Sequence, residues 1–346
     1  MENGTQAIIP KARGMYAKRL SNAEYEEMMR RRTVPEVAAI LRRHPYFERS
    51  LATLTSDPHR GQIEELLNRD IFKKYEELIH YDFEGDSFSE YYVDECEVDE
   101  LLRRIYLFSI GIPQAQPSMV SEHLVGHVRI DLYALAEVTS FEEAVEVAKK
   151  YHSPYYRVLQ EHYNQDPALK DFPLLEARMW NEYYRLLFKR IDDNFSGREK
   201  QQVSRLFLQQ IESYNVELLL RVKTFFPQVY EEEELRGLLQ PYRYRISRVQ
   251  MNKLIKAPTP EAFIQYYRQL PFVPSLISSK PDEFMLTTDQ HLFLFTQRVL
   301  RMSASPFAVL AAFLLLAKLQ KDNVVNIIEG VRYKMPPEEI GALLRR

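Results

Sequence analysis

TVPEVAAILRRHPYFERSL (Thr33 to Leu51), TSFEEAVEVAKKYHSPYYRVL (Thr139 to Leu159) and TPEAFIQYYRQLPFVPSL (Thr259 to Leu276) are three versions of one pattern. Each opens on a hydroxyl residue able to cap the free N–H groups of a first helical turn. A Glu comes next in that turn, where it favours the positive end of the helix dipole. Pro35 and Pro260 also stand in the first turn, where a missing N–H is no loss. Apolar residues then recur at helical spacing, as at Val37, Ile40 and Leu41.

A second pattern succeeds each of these in the same order. It reads DECEVDELLRR (Asp94 to Arg104), ESYNVELLLRV (Glu212 to Val222) and NVVNIIEGVRY (Asn323 to Tyr333). In register, Asp94, Glu212 and Asn323 coincide, as do Glu97, Asn215 and Asn326, and then Arg103, Arg221 and Arg332. The arginines recur about every 115 residues, the size of an ordinary small domain. The expected organisation is three similar helical units over 1–113, 114–240 and 241–346. GIPQAQPS (Gly111 to Ser118) marks the first break, and Pro241 interrupts the helical pattern near the second.

The repeated polar positions call for a physical explanation. A polar side chain on a half-buried helix face needs a hydrogen-bond partner, such as a loop from a neighbouring helix. Glu97, Asn215, Asn326, Arg103, Arg221 and Arg332 are therefore candidate clasp positions that tie each unit together.

Composition agrees with an all-α chain. Of 346 residues only 10 are glycine, 45% are hydrophobic and 27% charged, so glycine-rich phosphate loops and dense hairpins are not expected. The net charge of -3 offers no global attraction to nucleic acid. One cysteine, Cys96, allows no intrachain disulfide and fits a reducing compartment. The N-terminal stretch lacks the features of a secretory signal. Phe307 to Ala317 is too short to span a bilayer, which takes about 20 apolar residues, and reads as a helix inside a protein core.

Signals of catalysis are weak throughout. His123 and His127 are spaced as on one helix face, but Leu124 stands where a zinc protease needs Glu, and Gly126 weakens the helix. The carboxylates from Glu84 to Glu100 do not keep the spacing of a calcium loop. No phosphate loop and no nucleophile elbow is present. Tyr155, Tyr156, Tyr183, Tyr184 and Trp180 read as interhelix packing. The expectation is a non-enzyme without cofactor, metal or small-molecule substrate.

The whole chain resembles the C subunit of A/V-type ATP synthases, whose vacuolar ATPase counterpart is the d subunit. The likeness is carried by YAKRLSNAEYEEMM (Tyr16 to Met29), TVPEVAAIL, IESYNVELLLRVK (Ile211 to Lys223) and KLQKDNVVNIIEGVRYKMPPEEI (Lys318 to Ile340). It departs from the family's usual pattern near Lys321, Asn323, Ile328 and Tyr333. The resemblance implies three helical bundles around a pseudo-threefold axis, shaped as a funnel. It implies a non-catalytic central-stalk rotor subunit, joining the shaft subunits D and F to the membrane proteolipid ring for proton or sodium transport. Its place would be cytoplasmic, peripheral on the membrane through the complex. The rival class is a free-standing α-helical scaffold or adaptor, although solenoid repeats run only about 20–45 residues.

Overall fold

The computed structural model describes residues 4–47, 50–55, 58, 60–82, 88–112, 114, 120–227, 229–273 and 281–345. Glu84, Asp86 and most of the expected break at 111–118 lie outside them. Among the described residues there are sixteen α-helices and no strand. The chain runs through α1 (Ile8–Ala17), α2 (Asn22–Met29), α3 (Val34–Arg43) and α4 (Arg60–Ile79). Next come α5 (Tyr91–Ser109), α6 (Leu132–Glu137), α7 (Phe141–Lys150), α8 (Tyr156–Gln165) and α9 (Phe172–Asn194). After these stand α10 (Gly197–Phe225), α11 (Glu232–Leu238), α12 (Arg248–Ile255), α13 (Pro260–Arg268) and α14 (Pro281–Met302). The last two are α15 (Pro306–Arg332) and α16 (Pro337–Ala342).

The capping residues act largely as the sequence implies. Thr33 accepts from the backbone N–H of Glu36, and Thr259 from that of Ala262, each with proline in the first turn. In the middle copy the cap moves by one residue. Ser140 accepts from the Glu143 N–H, while Thr139 donates its own N–H to the Glu143 carboxylate. Thr139 opens the sequence pattern, but a capping side chain must reach the N–H three residues on, and the helix begins at Phe141. On α3, Val37 and Leu41 are buried, and Ile40 packs at the edge of the same core.

Two compact units account for the described chain: 1–85 with 197–225 and 244–346, and 86–196 with 226–243. In the first, α15 is the hub, packing against α1, α4, α10 and α14. Every residue from Pro306 to Ala317 is buried, so this half of the helix is apolar on all sides because protein surrounds all of it. Each fully buried Leu or Phe here contributes about 1.5–3 kcal/mol. The C-terminal half of α15 supplies Val324, Ile327, Ile328 and Val331 to a core shared with α2, α3, α4 and α16.

In the second unit, α5 and α9 form the long pair, flanked by α6, α7 and α8, with α11 on α9. Trp180, Tyr183, Tyr184, Tyr242 and Phe188 make a ladder of ring contacts, with centroids 4.6 to 6.5 Å apart. Tyr155 is wholly buried and donates its hydroxyl to the Asp94 carbonyl. Tilted and edge-on rings at such spacing add rigid apolar contact beyond simple area.

The close approach of α16 to α15 can be tested at Gly330. A Cβ there would lie 2.5 Å from Cγ1 of the buried, β-branched Ile340. Helix propensity alone favours alanine by about 1 kcal/mol, yet overpacking costs about 1–3 kcal/mol. Gly330→Ala is expected to lower the urea midpoint, and Ile340→Ala to cost less in that background than in the parent.

His162 makes stability depend on pH. It is buried, and its Nε2 has no hydrogen-bond partner among the described residues. Burial pushes its pKa below the ordinary 6.5, and nearby Arg178 adds to this, against Asp166 and Asp171. The unfolded chain therefore takes up a proton before the folded one, so stability falls as pH drops below about 6.5. Thermal melts across this range should show His162→Leu with a flatter pH slope than the parent; an unchanged slope would refute the assignment.

Candidate functional site

Three long helices each bury an acceptor that holds an incoming turn of Arg, an aliphatic residue, and Ser or Asp. On α5, Glu97 is 1% exposed and accepts the Arg129 N–H at 2.8 Å and the Ser153 hydroxyl at 2.6 Å. On α10, Glu212 is 4% exposed and accepts the N–H groups of Arg245 at 2.7 Å and Ile246 at 2.9 Å. The Arg245 guanidinium closes on the same carboxylate at 2.9 and 3.0 Å. On α15, the Gln320 carboxamide oxygen accepts the Leu20 N–H at 2.9 Å.

The chain leaves each turn in the same way. Asp131, Ser247 and Ser21 are the residues after Ile130, Ile246 and Leu20, and each caps a short helix: α6, α12 and α2. The next helix, α7, α13 or α3, is the capped amphipathic segment of the first sequence pattern. Glu97 and Glu212 reach turns 32 and 33 residues further on, whereas Gln320 reaches back 300 residues to Leu20. The last long helix thus completes a module whose short helices belong to the first part of the chain.

Two of these long helices also hold the far end of the short helix. Lys223 on α10 donates to the carbonyls of Ile255 at 2.8 Å and Ala257 at 2.7 Å, where α12 ends. Arg104 on α5 donates to the Val138 carbonyl, the residue closing α6, and to that of Gln114. A carboxylate serves the N–H end and a cation the carbonyl end, the sense favoured by the helix dipole.

The electrostatics are those of buried groups held by partners. Burial raises the pKa of Glu97 above the usual carboxylate range, against the hydrogen bonds from Ser153 and Arg129. One turn earlier, burial likewise raises Asp94, opposed first by Arg190 and then by Arg129. Arg190 donates to Asp94 at 2.8 Å and to Glu90 at 2.9 Å, while Arg129 lies 3.3 Å from Asp94. These carboxylates face donors of the protein itself: a backbone N–H and a hydroxyl at Glu97, and guanidinium groups at Asp94.

The sequence-derived positions divide among different tasks. Glu97 holds the turn at Arg129. Asn215 is buried one turn along α10 from Glu212. Asn326 donates to the Leu343 carbonyl at 3.2 Å, and Asn323 exchanges two 2.8 Å bonds with the backbone of Arg345. Arg103 pairs with Glu100 and donates to Ser121. Arg221 is exposed, and Arg332 lies 3.7 Å from Glu329 beside the Tyr333 ring. Glu97 shares a register position with Asn215 and Asn326, yet the turn on α10 is held one helical turn earlier, by Glu212. The sequence pattern does not single out Glu212 as a clasp, nor Gln320, Arg104 or Lys223. The tripeptides Arg19-Leu20-Ser21, Arg129-Ile130-Asp131 and Arg245-Ile246-Ser247, each opening a capped helix, are the signal that could have found them.

His123 and His127 do not share an α-helix: residues 122–124 form a 3-10 turn, and Gly126 turns the chain at φ +80°. Among the described residues no three His, Cys, Asp or Glu side chains are grouped to hold a metal ion. No helix among them is long and apolar enough to cross a membrane.

The grip of Glu212 can be measured. Glu212→Ala leaves two backbone N–H groups and a guanidinium without their acceptor, a loss of about 3–5 kcal/mol. Glu212→Gln keeps an acceptor oxygen and is expected to cost only about 1–2 kcal/mol. Urea denaturation of both variants should preserve that order.

The model of the ATP synthase (C/AC39) subunit family matches residues 8–343. Comparison with curated proteins gives no match.

Proposed function

The chain belongs to the ATP synthase (C/AC39) subunit family, and from that membership we propose that it is the non-catalytic rotor piece between central shaft and membrane ring. The proposed partners are the shaft subunits D and F on one side and the proteolipid ring on the other. In this reading it sits on the cytoplasmic face of the membrane, held there by the complex, and passes torque between ATP chemistry and proton or sodium movement.

The observation that carries the reading is the family match over nearly the whole chain. The clasps support it physically. A part that transmits torque must not yield internally, and tightly packed interiors with satisfied buried polar groups have low compressibility. Each short helix held by a long one adds a contact that would have to break before the module could shear. The near balance of charge suits partner-specific surfaces without broad electrostatic stickiness.

The test is to tag the chain in its native membranes, solubilise gently and identify what is recovered with it. Shaft subunits and the proteolipid are expected in fixed ratio; recovery of the chain alone would refute the proposal. Glu212→Gln, assembled into the complex, is expected to lose a larger fraction of ATP-driven ion transport than of ATP hydrolysis. Equal losses would mean that this clasp has no part in coupling.

A further inference from the structure

Arg19, Arg129 and Arg245 open the three clasped turns, yet only two of them meet a carboxylate there. Arg129 lies 3.3 Å from Asp94, and Arg245 lies 2.9 Å from Glu212. In the register of the long helices, the counterpart of Asp94 and Glu212 is Asn323. Asn323 is neutral and spends its carboxamide on the backbone N–H and carbonyl of Arg345. Arg19 has no ion pair among the described residues. Its guanidinium donates to the Tyr16 carbonyl at 3.4 Å and lies 4.5 Å from the centroid of the Tyr16 ring.

A pocket of about 320 Å³ opens at this place, within the range of small-molecule sites, about 300–1,000 Å³. It lies inside one compact unit, where the end of α1 and the turn into α2 meet α14 and α15. Arg19 and Asn323 both line it. Helical periodicity supplies another wall: Phe293, Gln297 and Arg301 recur every fourth residue on α14 and share one face. Arg301 is exposed and, like Arg19, has no ion pair among the described residues. The Tyr16 hydroxyl accepts from Gln297 at 2.8 Å and keeps its own hydrogen for a further acceptor. Burial raises the Tyr16 pKa, while Gln297, Arg19 and Arg301 act against the rise, so both guanidinium charges are felt at that hydroxyl. Arg345 also lines the pocket, but its charge is shared with Asp322 at 3.7 Å and Glu217 at 3.9 Å. The described lining offers donors from two guanidinium groups and a phenol, and no carboxylate.

We propose that this pocket binds a small phosphate-bearing molecule, its phosphoryl group held by Arg19 and Arg301 where the other two modules carry an internal carboxylate. The planar fork of arginine matches phosphate oxygens through paired N–H donors. Here the donors come from different elements, α14 and the turn after α1. A tetrahedral phosphate presents oxygens in several directions, whereas a carboxylate presents two in one plane. Bound phosphate ties α14 to the start of the chain, beside the bond from Leu20 to Gln320.

Isothermal titration of the purified full chain with pyrophosphate, at fixed ionic strength, tests this. One equivalent is expected to bind, and inorganic phosphate to compete with it. Arg301→Gln is expected to weaken binding about tenfold. Asn323→Asp, which offers Arg19 an internal carboxylate, should weaken it likewise. Arg298→Gln, at an exposed position on the same helix outside the pocket, should leave it unchanged. In the parent chain, pyrophosphate should slow the reaction of phenylglyoxal with Arg19 and Arg301, which decides the matter even where a variant fails to fold. Absence of saturable binding or of this protection would overturn the proposal. So would equal affinities of the Arg298→Gln and Arg301→Gln chains, or tighter binding of malonate than of phosphate.

Discussion

A buried carboxylate or carboxamide on a long helix must find hydrogen-bond donors inside the protein, and here the donors are backbone N–H groups of a turn that arrives from elsewhere in the chain. Glu97, Glu212 and Gln320 meet that requirement by fixing Arg129, the Arg245–Ile246 pair and Leu20. Once such a turn is fixed, the capping residue after it sets where the short helix begins. The amphipathic helix beyond is then placed with its apolar face toward the long one. The modules are ordered by these few bonds as much as by apolar area, since apolar burial alone is non-directional.

The same constraint joins distant parts of the chain. Gln320 reaches Leu20, and the second half of α15 shares a core with α2, α3 and α16. Loop closure over so many residues carries an entropic cost, though one that grows slowly with length. Extensive burial along α15 offsets it. A stalk subunit in a rotary machine would gain from such closure, because helices tied by buried bonds at both sequence extremes of a module resist local opening.

Electrostatics and packing are coupled throughout. Asp94 and Arg190 are held together where burial raises the carboxyl's pKa and the guanidinium opposes the rise. Burial, with Arg178 beside it, lowers the pKa of His162. At Arg104 the Nη2 group serves two carbonyls, while Nε and Nη1 are buried with no hydrogen-bond partner among the described residues. The aromatic ladder from Trp180 to Tyr242 fixes its helices through ring-on-ring geometry rather than charge.

Local sequence determined much of this protein. Helical periodicity, scarce glycine, and the caps at Thr33 and Thr259 specify helices because capping and amphipathicity act within one or two turns. The buried character of Phe307 to Ala317 was legible for the same reason, since a run apolar on every side has no face for solvent. The middle cap, displaced from Thr139 to Ser140, shows the one-residue limit of that legibility where two hydroxyl residues adjoin. Which polar side chain on each long helix does the holding was decided only by tertiary structure. Glu97 and Glu212 stand at different register positions, and Gln320 finds its partner 300 residues away. A buried acceptor is recognised by the donors brought to it in space, and sequence spacing along a helix records which side it faces, not which donors arrive there.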